Sequence, residues 1–467
     1  MTDQDLHKQE KMKVPFTIKD STRTDVVSIA WPVLVELLLG SLFLMVDMIM
    51  IGRIRDSAVA AASVAAVGMT NQPLLIGLSL VQALNVGGTA MVARYLGAKK
   101  EHRIENTFKH VLLLSLCMLA LPLAIFGFVF SNRILEFLGA QPDAIQVGGS
   151  YFRVTMISFL FQSINLSISA ALRGIGETKI PMRINIRVNF LNVIGNALLI
   201  YGLLGFPELG VTGAAISTAF SNMIASMLLF RYVLSGKSVV QINLKNPFKF
   251  NRDTIFNLIR IGVPASLEQM ILRVGILMFA RIVAGLGTVV FAAHQIALNI
   301  LGLSFHPAQA FSISASSLVG RSIGSKELSR AEAYAKETRK LGSYFSTGMG
   351  IIFFFFGSTI AGLFTRNQEV VNNVATVLKI IALVQPFQSS QLILSGGLRG
   401  AGDTIYPMLS TLIGVLIIRV SLAYVFVNLL GYGLVGAWLA VLIDQFIRWI
   451  LVFLRFRTGK WKYVKIR

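Results

Sequence analysis

A carboxylate inside an apolar stretch is the residue in this chain that most needs a chemical explanation. Asp47 stands in Leu44-Met45-Val46-Asp47-Met48-Ile49-Met50-Ile51-Gly52, with no cation one helical turn away on either side. In lipid, an acid without a partner either takes a proton or holds a cation, so it can cycle between two states. The competing reading is an interfacial acid solvated from outside or paired with Arg53 or Arg55, but an Asp side chain has little reach for that. Asn189, Asn192 and Asn196 recur at helical spacing, so three amides can face Asp47. Further along, Gln162 and Asn165 are mirrored by Gln388 and Gln391, and Gln82 by Gln309. Such amides line a hydrated cavity or hold membrane helices together.

Other ionisable residues read as structural or gating groups. Glu36 and Glu268 each follow a proline, Pro32 and Pro264, by one turn, and their symmetry argues for a common duty. Arg419 and Asp444 have no counterparts in the first half and are expected to pair within the membrane. His294 and His306 lack companions at metal-ligand spacing, so packing or hydrogen bonding is expected of both, and no certain metal site is expected beyond Na⁺ at Asp47. Cys117 is the only cysteine, which excludes a disulfide within the chain.

One motif occurs twice, as Leu172-Arg173-Gly174-Ile175-Gly176-Glu177-Thr178-Lys179-Ile180-Pro181-Met182 and as Leu398-Arg399-Gly400-Ala401-Gly402-Asp403-Thr404-Ile405-Tyr406-Pro407-Met408. It lacks the spacing and the Lys-Ser/Thr of a phosphate-binding loop. Glycines permit a tight turn and Pro opens the next helix, while Arg173 and Arg399 can pair with the motif acids, Glu177 and Asp403, or with helix-end carbonyls.

The elements that must position these residues are membrane helices. The mean hydropathy is strongly positive, and charged residues make up only 14% of the chain, clustered between long apolar runs rather than along one face of each. Run lengths and Lys/Arg punctuation give roughly twelve spans. The net charge of +21 would suit nucleic acid only on a folded basic module, which the sequence lacks. Lys and Arg instead collect in alternate loops, which places both termini in the cytoplasm. Lys99, Lys100, Arg183, Lys245, Arg330 and Lys465 are among them. The first two dozen residues read as a polar tail rather than a signal peptide.

The chain is also internally doubled. Ile29-Ala30-Trp31-Pro32 matches Ile261-Gly262-Val263-Pro264, Val92 to Gly97 matches Val319 to Gly324, and Gly210 to Ala214 matches Gly433 to Ala437, all in order with the doubled motif. With about six spans in each half, the halves insert the same way up, as parallel repeats around an axis along the membrane normal. The expected organisation is a tail over 1–25, an N-lobe over 26–234, a linker over 235–254, a C-lobe over 255–456 and a basic tail over 457–467.

On the Val46-Asp47-Met48-Ile49-Met50 stretch after Pro32, the doubled motif, Ala292-Ala293-His294-Gln295, Ile418-Arg419-Val420 and the basic tail with Trp461, the chain resembles the multidrug and toxic compound extrusion transporters over nearly its whole length. The resemblance implies an all-α fold of two six-helix lobes forming a V with a central cavity. It also implies export of organic cations across the bacterial inner membrane in exchange for H⁺ or Na⁺, with no other cofactor and no enzyme activity, by a monomer. It makes Asp47 the ion-coupled acid, with Pro32 letting the first helix bend. Two departures stand against the family pattern: Asn196 replaces an Asp of many relatives, and Leu272 and Gln388 fall where the sodium-linked branch carries acids, although Glu268 lies one turn from Leu272. The nearest rival is a flippase for a lipid-linked or anionic precursor, for which Arg153, Lys379 and Arg419 are the cations to locate. A membrane enzyme would need a clustered acid or metal motif near one face, and the sequence has none.

Overall fold

The computed structural model describes residues 22–243 and 248–464; residues 1–21 of the tail expected over 1–25, Lys245 and Lys465 lie outside the described residues. Among the described residues, twelve long helices carry the chain. The first six are α1 (Thr22–Gly52), α2 (Ser57–Gly97), α3 (Glu101–Val129), α4 (Pro142–Gly174), α5 (Lys179–Tyr201) and α6 (Gly210–Leu234). The second six are α7 (Arg252–Ala284), α8 (Thr288–Gly324), α9 (Leu328–Gly362), α10 (Gln368–Gly400), α11 (Ile405–Leu429) and α12 (Gly433–Arg457). Eleven are long and apolar enough to cross a membrane. The exception in composition is α7, interrupted by Arg260, Glu268, Arg273 and Arg281, although its 33 residues extend about 50 Å.

The two halves fold alike, as a shared sequence pattern requires. In the first, α4 packs on α2 and α6, α5 bridges α6 to α1, and α3 lies outside against α2 and α4. In the second, α10 packs on α8 and α12, α11 bridges α12 to α7, and α9 lies outside against α8 and α10. The result is a multi-pass membrane protein of two six-helix lobes in a V. The lobes meet through α1 with α8 and α2 with α7.

The apex of the V is the end that holds residues 22 and 464, here the terminal end. A Cβ on Gly97 would lie 1.9 Å from Arg321 O, and one on Gly324 2.0 Å from Arg94 O. Only glycine fits this reciprocal crossing of α2 and α8, which marks the repeat axis. Arg94 Nη1 also donates to Val464 O at 3.0 Å, and Tyr334 OH donates to Asp25 Oδ2 at 2.6 Å. Interlobe hydrogen bonds continue up to Ser41 Oγ and His306 Nε2, 2.7 Å apart. Beyond that level the far halves of α1 and α7 are exposed, at Leu44, Met45 and Ile49 and at Val274, Leu277 and Met278. The lobes are therefore joined at the terminal end and parted at the far end.

Candidate ion-coupling site

Asp47 lies in the far half of α1, partly buried against α5. Asn196 Nδ2 donates to its Oδ1 at 2.7 Å. One turn earlier, the amide of Asn192 can be set either way between its neighbours. In one setting its nitrogen reaches Thr218 Oγ1 on α6 at 3.1 Å. In the other it donates to Asp47 Oδ1 and Oδ2 at 3.1 and 3.3 Å while its oxygen accepts from Thr218. Ser217 Oγ anchors the Asn192 carbonyl at 2.9 Å. Asn189, the third amide of that face, is only partly buried. No cation lies within ion-pair distance of Asp47 among the described residues. Its partners are neutral, and the buried oxygen of Asn196 has none. A carboxylate with two amide oxygens beside it offers either a proton acceptor or the oxygen ligands a hard cation takes.

The same scaffold position in the C-lobe carries different chemistry. Phe279 stands 11 residues after Glu268 as Asp47 stands 11 after Glu36, and Ile418, Leu422 and Val441 occupy the places of Asn192, Asn196 and Thr218. Phe279 packs edge-on against His294 at 5.4 Å and Trp438 at 6.4 Å. His294 is wholly buried, and among the described residues neither of its ring nitrogens has a partner, so packing is its role here. Nearby, Arg419 donates through Nε to Asp444 Oδ2 at 2.9 Å and sets its guanidinium 6.0 Å from the Phe279 ring. The helix widens into a π-helical turn over Leu412–Arg419, whereas α5 is regular throughout. Such turns re-aim side chains at sites that cannot be served by a uniform helix.

Toward the terminal end, the two halves become alike again. Arg173 Nη2 donates to Glu36 Oε1 at 2.6 Å and Asn185 Nδ2 to the same oxygen at 2.5 Å. Arg399 Nη2 donates to Glu268 Oε1 at 2.6 Å, with Thr411 Oγ1 at 3.3 Å. Each motif arginine thus clamps the proline-bearing helix of its own lobe, rather than the acid of its own motif. Those acids serve the turn. Glu177 accepts from Ser238 at 2.9 Å and Tyr232 at 3.2 Å, and Asp403 accepts from Arg455 at 2.8 Å. Burial pushes both carboxyls up, with these hydrogen bonds acting in the opposite direction. Gly176 and Gly402, at φ 88° and 84°, supply the left-handed turn residues.

The six amides expected along a cavity divide. Asn165 is spent between α4 and α6, donating to Asn222 O at 3.0 Å and accepting from Ser226 Oγ at 2.8 Å. Gln391 is buried and donates to Ser395 one turn on, at 3.2 Å. Gln388 is buried too, Gln162 and Gln309 are partly exposed, and Gln82 is exposed. The three cations named for an anionic cargo do not converge, since Arg153 bonds Ser131 in the N-lobe, Arg419 is neutralised by Asp444, and Lys379 is exposed. Two cations escape a reading of the sequence: Arg273, exposed two thirds of the way along α7, and Arg448, buried on α12 with its Nη2 donating to Thr411 Oγ1 at 3.2 Å. The signal for Arg273 was available in the failure of α7 to read as apolar. Thr218, Asn185 and Thr411 were missed because lone polar residues in apolar helices are common.

The sequence profile of the family described as MatE matches residues 32–198 and 264–425, one segment in each lobe. The probable multidrug resistance protein NorM of Thermotoga maritima is 30% identical over 449 residues, covering 94% of this chain and 93% of that protein. The uncharacterized transporter YisQ of Bacillus subtilis is 27% identical, covering 97% and 98%. Among solved structures, the outward-facing conformation of a multidrug resistance MATE family transporter of the MOP superfamily matches with a TM-score of 0.86 at 23% identity, covering 95% of this chain and 97% of that one. At that identity the likeness speaks for the fold.

Proposed function

The chain belongs to the MatE family, and on that premise we propose that it is an ion-coupled antiporter that exports amphipathic organic cations, with Asp47 as the coupling acid. The observation that carries this reading is a carboxylate within a membrane helix whose partners are neutral amides on α5. Protonation, or capture of Na⁺ by Asp47 with the Asn192 and Asn196 oxygens, changes which groups donate and accept at this point. Between Asp47 and the apex-side contacts the far half of α1 has few attachments: Phe43 meets Phe190 at 5.3 Å while Leu42, Leu44, Met45 and Val46 are exposed, and only beyond Asp47 is the helix anchored again, by Tyr201 OH on Met50 O at 2.7 Å and by buried Ile51. A change at Asp47 therefore reaches the segment of α1 beyond Pro32, where a missing backbone donor lowers the resistance to bending. Ion and cargo then oppose each other through the conformation of α1, and an inward ion gradient drives export.

Lys and Arg at the terminal end support a cytoplasmic apex, with both termini inside the bacterial inner membrane. The multidrug name of the Thermotoga relative supports drug-like cargo. A second reading, in which the cargo carries an anionic group as a lipid-linked precursor would, is favoured by exposed Arg273 alone. Proteoliposomes loaded with a fluorescent organic cation, under imposed pH or Na⁺ gradients, test both. Asp47→Asn is expected to reduce gradient-driven export to background, and unchanged export would remove the coupling assignment. An Arg273→Gln protein that loses transport of an anionic probe and keeps that of the cation would establish the second reading instead.

A further inference from the structure

The outer wall of the C-lobe carries a groove that the antiport reading leaves unused. It has a volume of ≈ 690 Å³ and runs between α9 and α12 over α10, lined by Ile351, Phe354, Phe355, Leu383, Phe387 and Phe446. Its lining is almost wholly apolar. Gly350 lets α9 approach α10 closely beneath it, because a Cβ there would meet Ala382 O at 2.9 Å. From Phe446 an aromatic ladder descends α12 toward the terminal end: Trp449 lies 5.8 Å from Phe446, and Phe453 stacks on Trp449 at 5.4 Å. Trp449 is fixed by its Nε1 donating to Ser390 Oγ at 2.9 Å.

The ladder ends in two cations. The guanidiniums of Arg339 on α9 and Arg457 on α12 approach the same Phe453 ring, at 5.4 and 6.0 Å from its centre. Neither has a carboxylate partner among the described residues. Lys340 sits beside them, over Tyr344 at 6.0 Å. Two guanidiniums drawn to one ring repel unless an anion lies between them. From Phe446 to Arg457 the helix rises about 16 Å, close to half the hydrocarbon thickness of a bilayer. The groove therefore sits near the membrane centre, and its cationic rim at the headgroup level.

The N-lobe has the groove without the rim. A cavity of ≈ 660 Å³ overlaps the equivalent place at Phe161 and Met223 but runs further toward the terminal end between α4 and α6, past Ile164, Met227 and Phe230, with Arg231 at its edge. In the repeat, however, Leu112 and Leu234 stand where the C-lobe has Arg339 and Arg457.

We propose that the α9–α10–α12 groove is a binding site for an anionic phospholipid, whose acyl chain lies along Phe354, Phe387 and Phe446 and whose phosphate bridges Arg339 and Arg457. Arginine suits this task through its planar fork, and juxtamembrane cations select anionic headgroups. The site is independent of ion coupling at Asp47.

Native mass spectrometry of the full-length protein in detergent, titrated with phosphatidylglycerol or phosphatidylcholine of the same chains, tests it. Wild type is expected to retain phosphatidylglycerol in preference to phosphatidylcholine, and Arg339→Gln with Arg457→Gln to weaken phosphatidylglycerol by about thirtyfold without changing phosphatidylcholine. Both positions are on the surface, and a paired Arg→Lys replacement, which keeps the charge, is expected to restore most of the binding. Ile351→Trp, which fills the groove and leaves the rim intact, is expected to lose phosphatidylglycerol as well. Equal retention of the two lipids by wild type, or unchanged phosphatidylglycerol binding in the paired Gln protein, would overturn the assignment. So would a stable dimer that binds no lipid and is broken by Ile351→Trp, since that would give the groove to a second copy.

Discussion

Asp47 in the N-lobe and Phe279 in the C-lobe occupy one position of a duplicated scaffold and do opposite things with it. Around Asp47 the neighbours are Asn192, Asn196 and Thr218; around Phe279 they are His294, Trp438 and a buried Arg419–Asp444 pair. The first arrangement leaves a charge with only neutral partners, so an external ion has something to complete. The second pairs Arg419 with Asp444, buries Arg448 beside them against Thr411, and packs aromatic rings where the other lobe has amides. Nearer the apex the lobes match, with Glu36–Arg173 and Glu268–Arg399 clamps of equal length. Duplication thus supplies two matched lobes that diverge at one level of the bundle, and on the proposed reading this divergence leaves ion coupling to the N-lobe.

The largest effect is expected in the C-lobe. Asp444→Ala leaves both Arg419 and the neighbouring Arg448 as uncompensated buried charges and is expected to cost about 3–5 kcal/mol of stability, read as a lowered unfolding temperature in detergent. Replacing Arg419, Asp444 and Arg448 together with apolar residues of similar size should recover most of that loss, and ion dependence should survive. Ion dependence that vanishes in a stable triple variant would mean that the C-lobe shares in coupling.

Converting the N-lobe to C-lobe chemistry is the next largest change. Asn196→Leu with Asn192→Ile installs the residues of positions 422 and 418, removing hydrogen bonds to a carboxylate of about 1.5–3 kcal/mol each. Transport should then require a different pH or Na⁺ concentration for half-maximal rate while Asp47 itself remains. An unchanged ion profile would detach α5 from the site.

The two clamps are expected to act alike. Glu36→Gln and Glu268→Gln are each expected to cost about 1–3 kcal/mol and to slow transport to a similar degree without altering ion dependence. If only Glu268→Gln changes that dependence, the C-lobe acid takes part in coupling.

The smallest effect is expected at the motif turn. Burial raises the Glu177 carboxyl in the folded protein above its ordinary value. The stability it contributes is complete below the unfolded value and is lost as pH rises through the raised folded value. Glu177→Gln should flatten this loss, seen as an unfolding temperature that depends less on pH between mildly acidic and neutral conditions.

Much of this architecture was legible in residue order. Long apolar runs, the alternation of cationic loops and the doubled L-R-G-x-G-[ED]-T-x-x-P-M determine twelve helices in two parallel halves, because lipid leaves the backbone few alternatives. The meeting of Asp47 with Asn196 followed from helical spacing and from the rarity of acids in apolar helices. Pairing across helices was less legible. The motif arginines had an acid four residues away in sequence, yet tertiary packing presents Glu36 and Glu268 to them instead. Asn165 has the same residue type as Asn196 but spends its amide between α4 and α6 on Asn222 and Ser226, a distinction only helix rotation makes. Arg273 escaped notice although α7 fails to read as apolar, because the repeat alone was enough to place a helix there, and the π-helical turn at Arg419 has no sequence signature at all.

The central claim is that cargo and ion exclude each other at Asp47, and ion release measures it most directly. Addition of a transported organic cation to the purified protein in weakly buffered detergent solution should release protons from wild type, or displace radioactive Na⁺ if sodium is the coupling ion. Asp47→Asn should bind the same cargo and release neither. Equal ion release from the variant would contradict the account and place the coupling site elsewhere in the chain.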